Sequence, residues 1–433
     1  GAAAHVHEPA VNTAAVVTKA AAGAGVSHVL GKVAWSYDAT PTAGSLTIED
    51  GAGDGKDLAS QTTRPIATLL ATPLDFDFLG KHQLIYSVLT RQQFSTEVLT
   101  YRIDSQDYLS SPGDEDFAGA YRGGATMRET WTGVTWAYPL SERLGIGVSP
   151  YLALRSRELK SQVLVQAANE AGDVGSAIRL RTRTFKNWRA LAKIGFSYQS
   201  ERLSLGATAT TPSLSLSGSG LASYNASATS SNLDPEFIDT PSLAANVQTD
   251  LTSTFQSAWA AGGGGSIALG GTRFHASAEW FQAPSAFTAL DAEEFTPQTG
   301  GDPIVNDITI ALNSVFNWGF GLEQPIGGTM LYASIAADNS AGVEGAPLLT
   351  DAVLTKYDLT RVGGGASFRL GRADLMLGVG YASGKNPFPR IFDDDDISPE
   401  IDPDPDSFLS LSEWTFVIGA ELLPGGDGND DTP

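Results

Sequence analysis

The sequence predicts an all-β chain, a transmembrane antiparallel β-barrel of about 14 strands. Three observations predict it. Apolar and polar residues alternate with period two over most of the length. Short turns alternate with long connections, as in outer-membrane barrels with tight periplasmic turns and long outer loops. No window reaches the roughly 18–20 consecutive apolar residues that a membrane-spanning helix needs, so a spanning chain must pair its backbone in a sheet without free edges.

The composition narrows the function classes. The 433 residues carry 49 acidic and 27 basic side chains, a formal charge of -22, and no cysteine. An acidic excess of this size opposes the phosphate backbone of nucleic acid, which needs clustered Lys and Arg. Without cysteine there is neither a disulfide framework nor a Cys-based zinc site. The opening Gly1–Ala10 stretch has no basic segment followed by a long apolar one, so an export signal is expected to have been removed already.

The strands follow in order. From Leu144, the residues Leu144, Ile146, Val148, Pro150, Leu152 and Leu154 share one face, and Gly145, Gly147, Ser149, Tyr151, Ala153, Arg155 and Arg157 share the other. Trp188, Ala190, Ala192, Ile194, Phe196 and Tyr198 alternate with Asn187, Arg189, Lys193, Gly195 and Ser197. Phe274–Trp280, Phe316–Leu322, Leu375–Tyr381 and Trp414–Leu422 repeat the pattern. Short turns are expected at Asp77–Gly80, Leu140–Arg143, Gln199–Arg202, Gly270–Arg273, Gln324–Gly328 and Leu370–Ala373. Long acidic or Gly/Pro/Ser-rich connections fall near 51–61, 104–116, 167–176, 232–242, 290–302, 341–351 and 387–405. Several strands exceed the roughly 9–11 residues that cross a bilayer and are expected to project beyond it. Aromatic residues near strand ends, Trp136, Tyr138, Tyr198 and Trp414, suit interfacial girdles. The glycine run Gly262–Gly265 marks a bulge, a bend or a close backbone approach.

Trp188-Arg-Ala-Leu-Ala-Lys-Ile-Gly-Phe-Ser-Tyr, the turn Gln199–Arg202, Leu203-Ser-Leu-Gly-Ala-Thr-Ala-Thr-Thr-Pro-Ser and the earlier hairpin Tyr138-Pro-Leu-Ser-Glu-Arg-Leu-Gly-Ile-Gly resemble hairpins of the FadL/OmpP1/TodX outer-membrane transport family. The resemblance implies a 14-stranded barrel with an N-terminal lumenal hatch, and passive uptake of long-chain fatty acids or other hydrophobic compounds with no catalytic residues. On that reading residues 1–27 are the hatch, small and helix-tolerant from Ala14 to Ala24. Residues 28–423 are the barrel and 424–433 an acidic, disordered periplasmic tail. The Asn-Pro-Ala of the family's hatch corresponds to Asn12, Thr13 and Ala14, where the proline is missing. The family's closing aromatic residue is replaced by an extension through Leu423 to Pro433. The expected location is the bacterial outer membrane, with outer-membrane lipid and a hydrophobic small molecule as partners. The alternative is a barrel scaffold or shuttle component of a surface or secretion assembly, holding a protein partner through its long loops or acidic tail. An open aqueous porin is a third reading, against which the N-terminal 27 residues count.

Candidate chemistry is sparse. The inward ions Arg155, Arg157, Arg189, Lys193, Glu279, Glu323 and Glu421 have both signs, as a hydrated network fixing strands and plug would. Arg155, Arg157, Arg189 and Lys193 are alternatively lumenal cations for an anionic headgroup. Asp393, Asp394, Asp395 and Asp396, followed by Asp402, Asp404 and Asp406, are a weak candidate for Ca2+, lacking the glycine-centred spacing of a calcium loop. No other cofactor is expected. His5, His7 and Glu8 have ligand chemistry but sit at a terminus. His28, His82 and His275 belong to no catalytic motif, although His275 shares a face with Arg273 and Glu279. The Asn225-Ala226-Ser227 sequon reads as chance.

Overall fold

The computed structural model describes residues 35–39, 42–49, 59–64, 67–74, 82–106, 113–230, 243–341, 358–371, 373–387 and 408–422. Among them every regular element is a strand. Four short strands open the chain: β1 (Trp35–Ala39), β2 (Thr42–Glu49), β3 (Ala59–Arg64) and β4 (Ala67–Leu74). Four long ones follow, β5 (Gln83–Gln106), β6 (Glu115–Pro139), β7 (Leu144–Ala168) and β8 (Val174–Gln199). Then come β9 (Leu203–Thr210), β10 (Leu214–Ser230), β11 (Leu243–Thr252), β12 (Ala260–Leu269) and β13 (Thr272–Phe281). A separate pair, β14 (Phe287–Leu290) and β15 (Ile308–Ile310), precedes β16 (Val315–Ile326), β17 (Thr329–Asp338), β18 (Leu359–Leu370), β19 (Ala373–Pro387) and β20 (Phe408–Leu422).

Eighteen strands form one antiparallel sheet. Successive hairpins carry it from β4 to β9 and, after β12, from β13 and β16 to β20. β9 pairs with β12, and β1 pairs with both β20 and β4. Five of the six expected short turns close described hairpins, after β6, β8, β12, β16 and β18. Their chemistry explains them. The Ser141 hydroxyl accepts from the amides of Arg143 and Leu144, and Ser200 accepts from Leu203. Gly270 and Gly327 have φ of 63° and 61°, the left-handed conformation that two-residue hairpin loops require. The Gly262–Gly265 run makes no bulge, since β12 holds register through it on both sides. Gly265 instead admits Leu205, which a β-carbon there would crowd.

Burial alternates along β6, β7 and β8, and it is inverted relative to a water-soluble protein. Near the short turns the outward face carries Leu152, Trp188, Ile194 and Phe196, each at least 42 % exposed. The inward face there carries Thr135, Ser149, Ser197 and Arg189, all buried. Further along these strands the outward face becomes polar, with Arg128, Lys160 and Lys186. The inward face there includes Phe117, Met127, Leu159, Val163 and Val165. The switch falls near Glu129 on β6, Arg157 on β7 and Asn187 on β8, which register places close together. Strands of 24 to 26 residues thus run through two environments, being more than twice as long as a bilayer crossing of roughly 9–11 residues.

Two connections turn into the interior. Residues 253–259, between β11 and β12, and 282–314, between β13 and β16, bring Phe255, Phe287, Leu290, Ile308 and Ile310 against Ala125, Leu159, Phe185 and Ala222 of the long strands. Phe255 meets Phe287 edge-on with ring centres 5.6 Å apart. The wall thins to glycine where these segments press closest. A β-carbon at Gly218 would overlap the Ser253 carbonyl oxygen, and one at Gly220 the Leu290 side chain. Gly263, by contrast, has nothing nearer than 3.6 Å to such an atom.

Gly218→Ala should therefore lower unfolding free energy by about 1–3 kcal/mol, because backbone must move to admit the methyl group. Gly263→Ala should change it by less than about 0.5 kcal/mol. Urea unfolding of the detergent-folded chain checks both, and equal effects would contradict the close packing of the inner segment.

Candidate functional site: an internal pocket beneath the inner segments

The pocket forms where the inner segments meet the inward faces of β5 to β9 and β13. Its empty volume is about 730 Å³ including its open mouth. Arg91, Glu129, Trp131, Arg155, Arg189 and Lys193 come from the long strands, and Glu279 and Phe281 from β13. Phe255 and Trp259 of the inner segment complete its aromatic lining.

Its electrostatic centre is Glu129. Antiparallel register sets Glu129 of β6 opposite Arg155 of β7, and the guanidinium lies 3.2 Å from the carboxylate. Arg189 of β8 forms a second ion pair with the same carboxylate, and the Trp131 indole donates to it at 2.6 Å. All three charged side chains are almost wholly buried. Charges this deep are tolerated only when paired, and one carboxylate here serves two cations. The remaining positive charge is met by a π face: the Arg155 and Arg189 guanidinium carbons lie 3.7 Å and 4.5 Å from the Phe255 ring centre. Arg91 stands 5.4 Å from the Trp131 ring centre and 5.8 Å from that of Phe281.

Beside this cluster the chemistry is apolar. Trp131, Tyr151, Ala153 and Leu191 pack together with Leu89, and the Trp131 and Tyr151 rings are 5.4 Å apart. Gly133 leaves room for the Tyr151 ring, which a β-carbon there would strike. The inner segment is pinned by Asn187, whose side-chain nitrogen donates to the Ser253 carbonyl at 3.2 Å and to Ser215 at 2.8 Å.

Alongside the pocket the wall is interrupted. Lys193–Gln199 of β8 pairs with β9 and Gly175–Ala190 with β10. Between the two, Thr211 still bonds Ala192 of β8 through its amide and hydroxyl, Pro212 has no backbone donor, and Ser213 turns its amide to Ser257 of the inner segment. On the far side of the break the chain leaves the sheet after β11 and rejoins it at β12. Trp259, which lines the pocket, is 48 % exposed.

The lumenal cations expected from sequence divide. Arg155, Arg189 and Lys193 line the pocket, the first two tied to Glu129, and Lys193 shares the lining with Glu279. Arg157 is buried on the same inward face but is not part of the lining. His275 is buried with Nε2 3.0 Å from Glu323, and Arg273 lies 4.0 Å from the same carboxylate. His82 accepts from the Trp136 indole at 3.0 Å and packs against Tyr138, so it belongs to an aromatic cluster at the short-turn end. Asn12, Thr13 and Ala14, the Asp393–Asp396 run and the acidic tail lie outside the described residues. Among the described residues no group of three or more His, Asp or Glu is arranged to hold a metal.

Sequence reasoning missed Glu129, Trp131, Arg91 and Phe255. The alternation Met127, Glu129, Trp131 was available as a sign that Glu129 points inward. For Phe255 there was no local sign, because its position follows from a connection turning inward. The inward series Arg179, Arg181 and Arg183 was also missed; Arg181 lies over Tyr224 at 5.2 Å and Arg183 donates to the Asp307 carbonyl at 3.2 Å.

Glu129→Gln would leave two buried guanidinium groups without their counter-charge. It should destabilise the folded chain by about 3–5 kcal/mol in detergent unfolding. A loss below about 1 kcal/mol would mean that the carboxylate does not hold the cluster.

No family model matches the chain, and no curated protein matches it in sequence. Solved structures do match. The Pseudomonas putida toluene transporter TodX superposes over 90 % of this chain and 90 % of its own, with 11 % identity and a TM-score of 0.56. The CymD monoaromatic hydrocarbon channel covers 96 % and 98 % with 10 % identity and a TM-score of 0.52. The Ralstonia pickettii toluene transporter TbuX covers 91 % of each chain with 12 % identity and a TM-score of 0.52. The likeness is one of fold over nearly the whole length: this chain is built on the architecture of the TodX, TbuX and CymD hydrophobic-compound channels.

Proposed function

We propose that the chain is a closed, 14-stranded outer-membrane β-barrel that passes hydrophobic molecules inward without an energy source. The observation that carries this reading is the inverted wall surrounding a part-aromatic internal pocket. An outward apolar face beside an inward polar one suits a barrel immersed in hydrocarbon. From Tyr198 to Trp188, ten residues on a strand tilted about 40° rise roughly 25 Å, the height of an outer-membrane apolar band. The double pairing of β1 supports closure.

The pocket supports the substrate class. Trp131, Phe255, Trp259 and Phe281 offer it apolar surface beside a few convergent polar groups, the usual lining of a small-molecule site. A molecule arriving at the long-loop end has to pass the inner segments packed against the upper strands. It then reaches the pocket and leaves by the interrupted wall near Thr211–Ser213 or toward the periplasm. The toluene transporters sharing this fold favour a hydrophobic cargo. Residues 1–27 act as the hatch in this account. The interior filled by residues 253–259 and 282–314 opposes the open-porin reading.

Phe281→Arg adds a charge to the aromatic side of the pocket without touching the Glu129 ion pairs. Wild-type protein incubated with a labelled long-chain fatty acid or with toluene should retain one of them through detergent exchange. The variant should lose at least about tenfold in affinity, since a charged side chain then replaces apolar lining where a hydrophobic molecule would sit. Retention of neither compound by wild type, or equal retention by the variant, would reject the pocket as the substrate site.

A further inference from the structure

The outward face just beyond Trp188 has an unexpected charge balance. Register aligns Arg128 of β6, Ser156 of β7 and Lys186 of β8 in one row across three neighbouring strands. Two rows farther from the short turns, Lys160 stands between Gly124 and Thr182, and one row beyond that Arg122 faces Gln162. Arg122, Arg128, Lys160 and Lys186 are all exposed. The only acid on this face between the Arg128 and Arg122 rows of β6, β7 and β8 is Glu158, which pairs with Lys160 at 2.5 Å. Over the whole sequence acids outnumber bases 49 to 27, whereas on β6, β7 and β8 four cations here stand against Glu158, with Glu97 of β5 in register beside Gly124 at the margin. Thr126, Thr182 and Thr184 fill the positions between, and Ser219 and Ser223 of β10 continue the face beside Lys186 and Thr182.

We propose that this face binds the phosphorylated headgroup of an acylated glycolipid of the outer leaflet. The inference rests on the membrane reading above. Trp188, Ile194 and Leu152 form the apolar surface immediately on the short-turn side, suited to acyl chains. Arg128 and Lys186 stand one step past it, at headgroup height, where cations make charge-assisted hydrogen bonds to phosphate oxygens. The hydroxyls between them suit the sugar. A free phosphate ion would use the cations alone and gain nothing from the apolar half.

The test uses the full chain folded in detergent micelles and native mass spectrometry, with bis-phosphorylated lipid A and its dephosphorylated form as probes. Wild type should retain lipid A, and Arg128→Gln/Lys186→Gln should bind it at least about tenfold more weakly. Dephosphorylated lipid A should bind wild type no better than lipid A binds that variant. Arg143→Gln/Arg202→Gln removes equal charge at the exposed short-turn end and should leave retention unchanged. Equal retention by the Arg128/Lys186 variant, or by the dephosphorylated probe, would overturn the proposal. Displacement of lipid A by millimolar inorganic phosphate would overturn its assignment to a lipid. Flotation with phosphatidylcholine vesicles reads membrane immersion separately. A chain that floats but holds lipid A indifferently refutes only the glycolipid face, whereas one that does not float refutes the membrane reading beneath it.

Discussion

Every backbone donor and acceptor behind an apolar outer surface must find its partner inside the protein, and the architecture follows from that constraint. Leu152, Ile194 and Phe196 point outward from β7 and β8, and on the membrane reading proposed above water cannot satisfy the amides beneath them. Antiparallel pairing satisfies them strand by strand, and the tight turns at Gly270 and Gly327 do so with few residues to spare. The same pairing assigns alternate side chains to the inside. Polar groups excluded from the outer face accumulate there and must bond one another, as Thr135 and Ser149 do at 2.7 Å.

The interior resolves this crowding by layering. Glu129 balances Arg155 and Arg189, Phe255 covers both guanidinium groups, and the apolar set around Trp131 and Tyr151 lies alongside. The Glu129 cluster lies where the outward face changes from apolar to polar, so the charge that orders the pocket also marks a boundary of the wall. Because Phe255 sits on an inner segment rather than a strand, the segment's position and the exposure of the cations are coupled. Displacing the segment would uncover Arg155 and Arg189 within the lumen, a physical link between opening the interior and changing its charge.

The strands and hairpins were largely legible in the sequence because both rest on local rules. Alternation at Trp188–Tyr198 and the glycines of the two-residue turns need only neighbouring residues to be read. The inward direction of Arg155, Arg189 and Lys193 followed from the same period. Partners of those cations were not legible, since Glu129 is 26 residues from Arg155 and meets it only through register. Residues 253–259 carry no local sign of an inward course, which depends on Gly218 and Asn187 of distant strands. The reversal of the two faces halfway up β6, β7 and β8 was present in the alternation, but it becomes visible only when three strands are aligned in register.

The central claim is that the wall from Tyr198 to Trp188 lies in hydrocarbon and that the same strand continues beyond into water. The chain has no cysteine, so single cysteines can be introduced and spin-labelled without background. Nitroxide accessibility along β8, read with oxygen and with a water-soluble nickel reagent in reconstituted bilayers, tests it most directly. The account predicts high oxygen accessibility at 190, 192, 194 and 196, nickel accessibility at 182, 184 and 186, and shielding from both at 187, 189 and 191. Nickel accessibility at 192, 194 and 196 equal to that at 184 would contradict it, because the face read as lipid-facing would then lie in water.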